Sequence, residues 1–306
     1  MKLSGSLAFV ASLLSILPTA HALVGSSWSV TNVPASGLTD ITFPITIVQA
    51  DHISGYYFAQ QFGFVGQTNV GYTGIQPRPD INGVAVLHGV FSSFVPGTTS
   101  TDANCSNGAD GGSGVSCKFE WNGVYGRTYN FEVKTTGNSL WVGTAVDTFT
   151  GERIHIGSYT LPAGSQGIKS SQAGFVEWYP WNNGEPANHC ARLPYQQTVF
   201  GNPTTTHAGS LGTQALSYEY GDCVGQVAFQ AAKVAGGAVN SCGWPGQKDH
   251  NFWVVNDQDS NWSQAASGPP SPLELLSAQT FDFPTQIGID KLQVSGFSLV
   301  SLPGSQ

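Results

Sequence analysis

Apolar and polar residues alternate with period two through most of this chain. Ile41, Phe43, Ile45 and Ile47 alternate with Thr42, Pro44 and Thr46, the pattern of a half-buried strand, and the proline suggests a sheet edge. Tyr129, Phe131 and Val133 alternate with Asn130, Glu132 and Lys134, and Ile154 and Ile156 flank His155. Further apolar runs over 83–91, 140–146, 252–255 and 292–300 read as strands. Turn signals fall between the runs: Asn82-Gly83, Pro96-Gly97, Asn122-Gly123, Thr150-Gly151 and Asn183-Gly184. The chain carries no sustained helical stripe, and only 272–278, with Ser271 as its cap, predicts a short helix. Many short strands without helical interleaving predict an all-β, single-domain β-sandwich, jelly-roll-like, rather than a parallel α/β sheet. The best linker candidate, 263–271, leaves too little chain behind it for a second domain.

The first residues read as a targeting signal instead of structure. Lys2 supplies a minimal positive region, 7–17 an apolar core, and Ala20-His21-Ala22 a small-x-small cleavage site. Residues 1–22 are therefore expected to be a signal peptide and 23–306 a secreted, extracellular domain, with 226–306 adding its last strands. The apolar run is short for a membrane span. Charge is sparse: eleven Lys and Arg stand against nineteen Asp and Glu, and losing Lys2 would take the net charge from −8 to −9. An acidic chain with four arginines makes a poor partner for nucleic acid or an anionic membrane, so neither is expected.

Five cysteines in a secreted chain imply disulfides with one thiol left over. Cys105 and Cys117 bracket a glycine-rich loop, which a disulfide would close. Asn104-Cys105-Ser106 and Asn261-Trp262-Ser263 are glycosylation sequons for a eukaryotic secretory pathway, making Asn104 and Asn261 the acceptor positions. Asp102, Asn104, Asn107 and Asp110 offer oxygen ligands for calcium, but their spacing lacks the terminal bidentate Glu of an EF-hand loop. The expectation is no cofactor and no metal, with calcium the disfavoured alternative.

The block from Tyr56 to Phe94 is the densest in chemistry, packing aromatics, glycines and amides around Arg78. Tyr56-Tyr57-Phe58, Phe62-Gly63-Phe64, Gly71-Tyr72-Thr73-Gly74-Ile75-Gln76 and Val90-Phe91-Ser92 are joined further on by Ile154-His155-Ile156-Gly157 and Phe175-Val176-Glu177-Trp178-Tyr179. This set resembles a secreted β-sandwich domain family of unknown function found in bacterial and fungal proteins, often associated with carbohydrate-related proteins. The resemblance covers most of 45–225 and implies a scaffold, not a reaction. Cys190, Cys223 and Cys242 allow three pairings; the resemblance favours Cys190 with Cys223, which both lie inside the region it covers.

Sugar rings present flat C–H faces that exposed aromatics bury while amides bond the hydroxyls. Tyr56, Tyr57, Gln76, Arg78, Trp178, Tyr179 and Trp181 are the candidate ligand-binding residues on that logic. Arg78 has a structural alternative, a surface pair with Asp80. Glu177, set among aromatics, is the candidate general acid of a glycosidase, with Glu219 or Asp222 as its partner. A polysaccharide lyase would instead need a base such as His155, His88 or Tyr57, and Arg78 or Arg153 against a uronate. There is no G-x-S-x-G elbow, H-E-x-x-H pair or P-loop. The expected function is binding to, or action on, extracellular cell-wall polysaccharide. The alternatives are a polysaccharide lyase or glycosidase, and an effector of a plant-associated fungus that meets host plant surface components.

Overall fold

The computed structural model describes residues 22–183 and 190–245, and they form two stacked antiparallel sheets. In chain order the strands are β1 Ala22–Val30, β2 Asp40–Ala50, β3 Tyr56–Gly63, β4 Val70–Ile81, β5 Val84–Ser93, β6 Cys105–Ala109, β7 Gly112–Asn122 and β8 Thr128–Gly137. They continue as β9 Leu140–Asp147, β10 Arg153–Thr160, β11 Ser171–Trp178, β12 Gln196–Gly201, β13 Gly212–Gln214, β14 Tyr218–Glu219, β15 Gln230–Val234 and β16 Gly237–Cys242. Two short 3-10 turns, Tyr179–Asn183 and Cys190–Arg192, follow β11. The larger sheet has the order β13-β1-β11-β3-β4-β5-β7-β6, with β14 also on β1; the smaller runs β10-β9-β8-β2-β12-β16-β15. The described residues thus form the expected β-sandwich. The expected helix at 272–278, the strands at 252–255 and 292–300, the linker, Asn261 and the leader through residue 21 lie outside the described residues.

Alternate residues of each strand fill the space between the sheets, as period two requires. Trp28, Phe58, Phe62 and Phe91 descend from the larger sheet onto Phe43, Phe131, Trp141 and Tyr159 of the smaller. Trp28 meets Phe43 edge-on at 5.1 Å, and Phe91 stacks on Tyr159 at 4.4 Å, so aromatic pairs join the layers directly. Truncating one such ring to alanine costs about 3–5 kcal/mol in a core of this kind. Leu23, one residue past the expected cleavage point, already belongs to this core.

The edge position expected from Pro44 is not what forms: β2 lies inside its sheet, between β8 and β12. The geometry accommodates the missing donor. Thr42 N donates to Thr204 O on the β12 side, at 2.8 Å. The nitrogen of Pro44, two residues on, therefore faces the same side, where β12 gives out at Gly201, and no ladder bond is lost. Asn82-Gly83 does make the expected turn, and it joins β4 to β5 as a hairpin with φ of 53° and 76°.

Two disulfides form, Cys105–Cys117 and Cys190–Cys223, and Cys242 is a buried free thiol. The first staples two residues directly opposite each other on β6 and β7. Burial pushes the Cys242 thiol up to about 12, so it is protonated and inert, with Gln196 donating to its sulfur at 3.3 Å. Disulfides suit an oxidising compartment. No helix among the described residues is long and apolar enough to cross a membrane.

A candidate binding face on the larger sheet

The strands that bury Phe58, Phe62 and Phe91 must turn their other residues outward. Strand register lines these up into bands running across the larger sheet. Glu177 pairs with Tyr57; Tyr57, one residue beyond the Phe58–Ile75 pair, stands beside Gln76; Gln76 pairs with His88, and His88 with Glu120. This polar band spans β11, β3, β4, β5 and β7. The next band, two residues along each strand, is Phe175, Ala59, Gly74, Val90 and Lys118. A third continues through Gln61, Tyr72, Ser92 and Ser116.

The middle band is small for a reason. A Cβ on Gly74 would lie 2.1 Å from the carbonyl oxygen of Phe58, so only glycine fits there. Tyr57 and Tyr72 lean over it from either side, edge to face at 5.3 Å, and Phe175 meets Tyr57 at 5.5 Å. Half-buried Phe94, Phe175 and Tyr179 complete this second apolar cluster. The rings touch one another, so the result is an aromatic pad and not a cage with an open centre.

Arg78 organises the polar band. Its Nη2 donates to Gln76 Oε1 at 2.7 Å, its Nη1 to Tyr179 Oη at 3.3 Å and to Pro77 O at 2.9 Å, and its Nε to Glu120 Oε1 at 3.2 Å. The alternative pairing with Asp80 does not form; Asp80 bonds His52 at 2.6 Å. Glu120 Oε1 also faces His88 Nδ1 at 2.9 Å. Burial, and then the nearby guanidinium, lower the His88 imidazole to about 4, so near neutrality it is uncharged. A neutral ring beside a carboxylate holds its proton on Nδ1, which leaves Nε2 as an acceptor. The bond from His88, followed by Arg78, in turn holds the Glu120 carboxyl below its usual range.

Three uncharged groups in the centre of the band therefore keep hydrogen-bonding capacity in hand. Among the described residues, neither His88 Nε2 nor the Gln76 amide nitrogen has a partner, and the buried Tyr57 hydroxyl has none. Burial raises the Tyr57 phenol well above its usual value, with Tyr72, Asp110 and Glu177 adding to the effect, so it stays protonated. Tyr72, by contrast, donates to Asp110 at 3.0 Å.

The face gathers only part of what the sequence proposes. Gln76, Arg78 and half-buried Tyr179 come together on it, while Tyr57 and Glu177 lie on the same side of the sheet but are buried there. Tyr56, Trp178 and Trp181 do not: they lie in the inter-sheet core, where they offer no surface to a ligand. Tyr56 and Trp178 are opposite each other across β3 and β11 on the inward side, and the Tyr56 hydroxyl donates to Pro194 O at 2.6 Å. His155 sits on β10 of the other sheet, bonded to Asp102 at 2.7 Å, so it and Glu177 share no site. Glu219 pairs with Val24, a core residue, and so lies on the opposite side of its sheet from Glu177. Arg153 is engaged by Glu132 at 2.5 Å. No cluster of three or more His, Cys, Asp or Glu side chains with metal-site geometry occurs among the described residues. The sequence offers His88 only as a base and gives Glu120 no role; their signal is a shared register that strand pairing alone reveals.

No protein-family profile matches the chain, and no curated protein matches it. Solved structures of similar architecture include scytalido-glutamic peptidase with a peptide-based transition state analog, at 14% identity and a TM-score of 0.41. SCP-B, a member of the Eqolisin family of peptidases in complex with the tripeptide Ala-Ile-His, matches at 12% identity and a TM-score of 0.36. Each alignment covers 74% of this chain and 99% of the other. At those scores the likeness carries no functional argument.

Proposed function

We propose that this chain is a secreted, extracellular protein that recognises neutral cell-wall polysaccharide through the outward face of its larger sheet. One observation carries the reading: the centre of the polar band places Gln76 and His88 side by side, both uncharged and each with hydrogen-bonding capacity to spare, next to an aromatic pad edged by half-buried Phe175 and Tyr179. Sugars need that combination, since their C–H faces bury against rings while their hydroxyls both donate and accept. A polyuronate fits less well, because Arg78 already serves Glu120, Gln76 and Tyr179. The reading is recognition and not cleavage, because the band's own carboxylates, Glu177 and Glu120, stand four strand spacings apart, roughly 19 Å. A glycosidase pair stands within about 10 Å.

Pull-down of the purified protein on insoluble chitin, β-glucan, xylan and mannan tests the proposal. Retention on one or more of them, weakened by Gln76→Ala, is the expected result. Equal recovery in the unbound fraction for every polysaccharide would overturn it.

A further inference from the structure

We infer that the bound glycan lies across the strands, along the polar band, with one sugar residue over each strand from β4 to β7 and His88 accepting a hydrogen bond from a ligand hydroxyl. The inference rests on the recognition reading above and adds the ligand's form, its direction and a specificity-determining residue.

Direction follows from the bands. Groups of like character repeat across the strands and not along them: Glu177, Tyr57, Gln76, His88 and Glu120 in one line, Phe175, Ala59, Gly74, Val90 and Lys118 in the next. A ligand lying along a strand would meet polar, apolar and polar bands in turn. One lying across the strands meets a single polar line with an apolar line at its side. An extended sugar chain has that character, with hydroxyls along its edges and C–H surface on its faces.

Spacing separates a glycan from a peptide. Neighbouring strands are about 4.7–4.9 Å apart, so the polar groups recur at that interval, close to the advance of one pyranose in an extended chain. An extended peptide advances only about 3.2–3.4 Å per residue and would fall out of step within two strands. The ends of the band are also marked. Half-buried Tyr179 and Phe175 stand at the β11 end, and exposed Glu120 and Lys118 at the β7 end.

His88 is the acceptor within the line. Its Nδ1 is committed to Glu120, and its outer nitrogen can only accept while the ring is neutral. Gln76, whose oxygen accepts from Arg78, has its amide nitrogen available to donate. Adjacent strands therefore offer a donor and an acceptor in fixed order. A hydroxylated chain satisfies both, whereas a ligand with acceptors alone leaves His88 unanswered.

Titration calorimetry with neutral cello-, xylo-, manno-, laminari- and chito-oligosaccharides of about two to seven residues tests the inference. Affinity in the recognised series should climb with each added sugar and level off at about three, the number of strands (β4, β5 and β7) whose polar side chains face the ligand. His88→Asn keeps a donor amide at the Nδ1 position for Glu120 but removes the outer acceptor, so it should weaken the long ligand about five- to tenfold, the value of one hydrogen bond. Thr144→Ala, on β9 of the other sheet, should leave binding unchanged. Binding that is already maximal with a disaccharide, or untouched by His88→Asn, would overturn the inference while leaving recognition standing. Absence of binding across all series would overturn both. Binding of a random peptide mixture in place of the sugars, with the same sensitivity to His88→Asn, would make the face a peptide site and refute the glycan reading.

Discussion

The neutral, buried imidazole of His88 makes a quantitative claim about stability. In the unfolded chain this ring titrates near its ordinary value of 6.5, whereas in the fold burial and Arg78 lower it to about 4. As pH drops below 6.5 the unfolded state takes up a proton that the folded state refuses until about pH 4. Unfolding therefore binds a proton in that window, and stability falls with falling pH. Each pH unit is worth about 1.4 kcal/mol, so the loss over the window is about 3 kcal/mol, fully present above pH 6.5 and exhausted below 4. Urea unfolding followed by tryptophan fluorescence, at half-unit steps from pH 7.5 to 4, measures it in the disulfide-intact protein, because Trp28, Trp141 and Trp178 are all in the core. Other groups contribute their own slopes, so the informative quantity is the difference between wild type and His88→Asn, which cannot titrate. The two stability curves should converge by about 3 kcal/mol as pH falls. Parallel curves would refute the claim that His88 is buried and neutral, and with it the acceptor role of Nε2.

Two neighbouring tyrosines should answer oppositely to loss of a hydroxyl: Tyr56→Phe leaves the Pro194 carbonyl without its donor and should cost about 1–3 kcal/mol, while Tyr57→Phe removes a buried hydroxyl that has no partner among the described residues and should be neutral or stabilising. Midpoints of urea unfolding decide it, and equal losses would contradict the assigned contacts. Gly74→Ala pushes a methyl group against the backbone of β3 and should destabilise by at least about 1–3 kcal/mol, read as a lower thermal midpoint; an unchanged midpoint would mean the strands are not so close. Replacing Cys105 and Cys117 together by serine opens a short loop and should cost about 3 kcal/mol by the chain-entropy account. A loss below 1 kcal/mol would show that β6 and β7 hold their register without the bridge.

Much of the architecture was legible because period two is a local property. The alternation in β2 and β8, the Asn82-Gly83 hairpin and the closure of Cys105 onto Cys117 each depend on residues close in the chain. The errors share one cause. Tyr56, Tyr57, Trp178 and Tyr179 look alike in sequence, yet a single step of register sends Tyr56 and Trp178 into the inter-sheet core and Tyr57 to the other side of its sheet, where it is buried in a second apolar cluster. Pro44 reads as an edge marker because the sequence does not show where β12 stops. Arg78 has Asp80 two residues away as an obvious mate, but its carboxylate partner comes from β7, 42 residues on.

By itself, then, the sequence determined the all-β class, the hairpin turns and the pool of aromatic, amide and charged residues from which any site must be drawn. Tertiary structure decided which of them meet. The polar band is assembled from β11, β3, β4, β5 and β7, and its members are brought into line by hydrogen-bonded register between strands as far apart in the chain as Tyr57 and Glu177. Register is a property of pairs of strands, fixed by which faces are buried against the opposite sheet, and no single strand's pattern contains it. The same packing sets the chemistry. Burial under Arg78 makes His88 a neutral acceptor instead of a cation, and burial leaves the Tyr57 hydroxyl protonated and without a partner among the described residues, because the cost of desolvating a charge depends on what is folded around it.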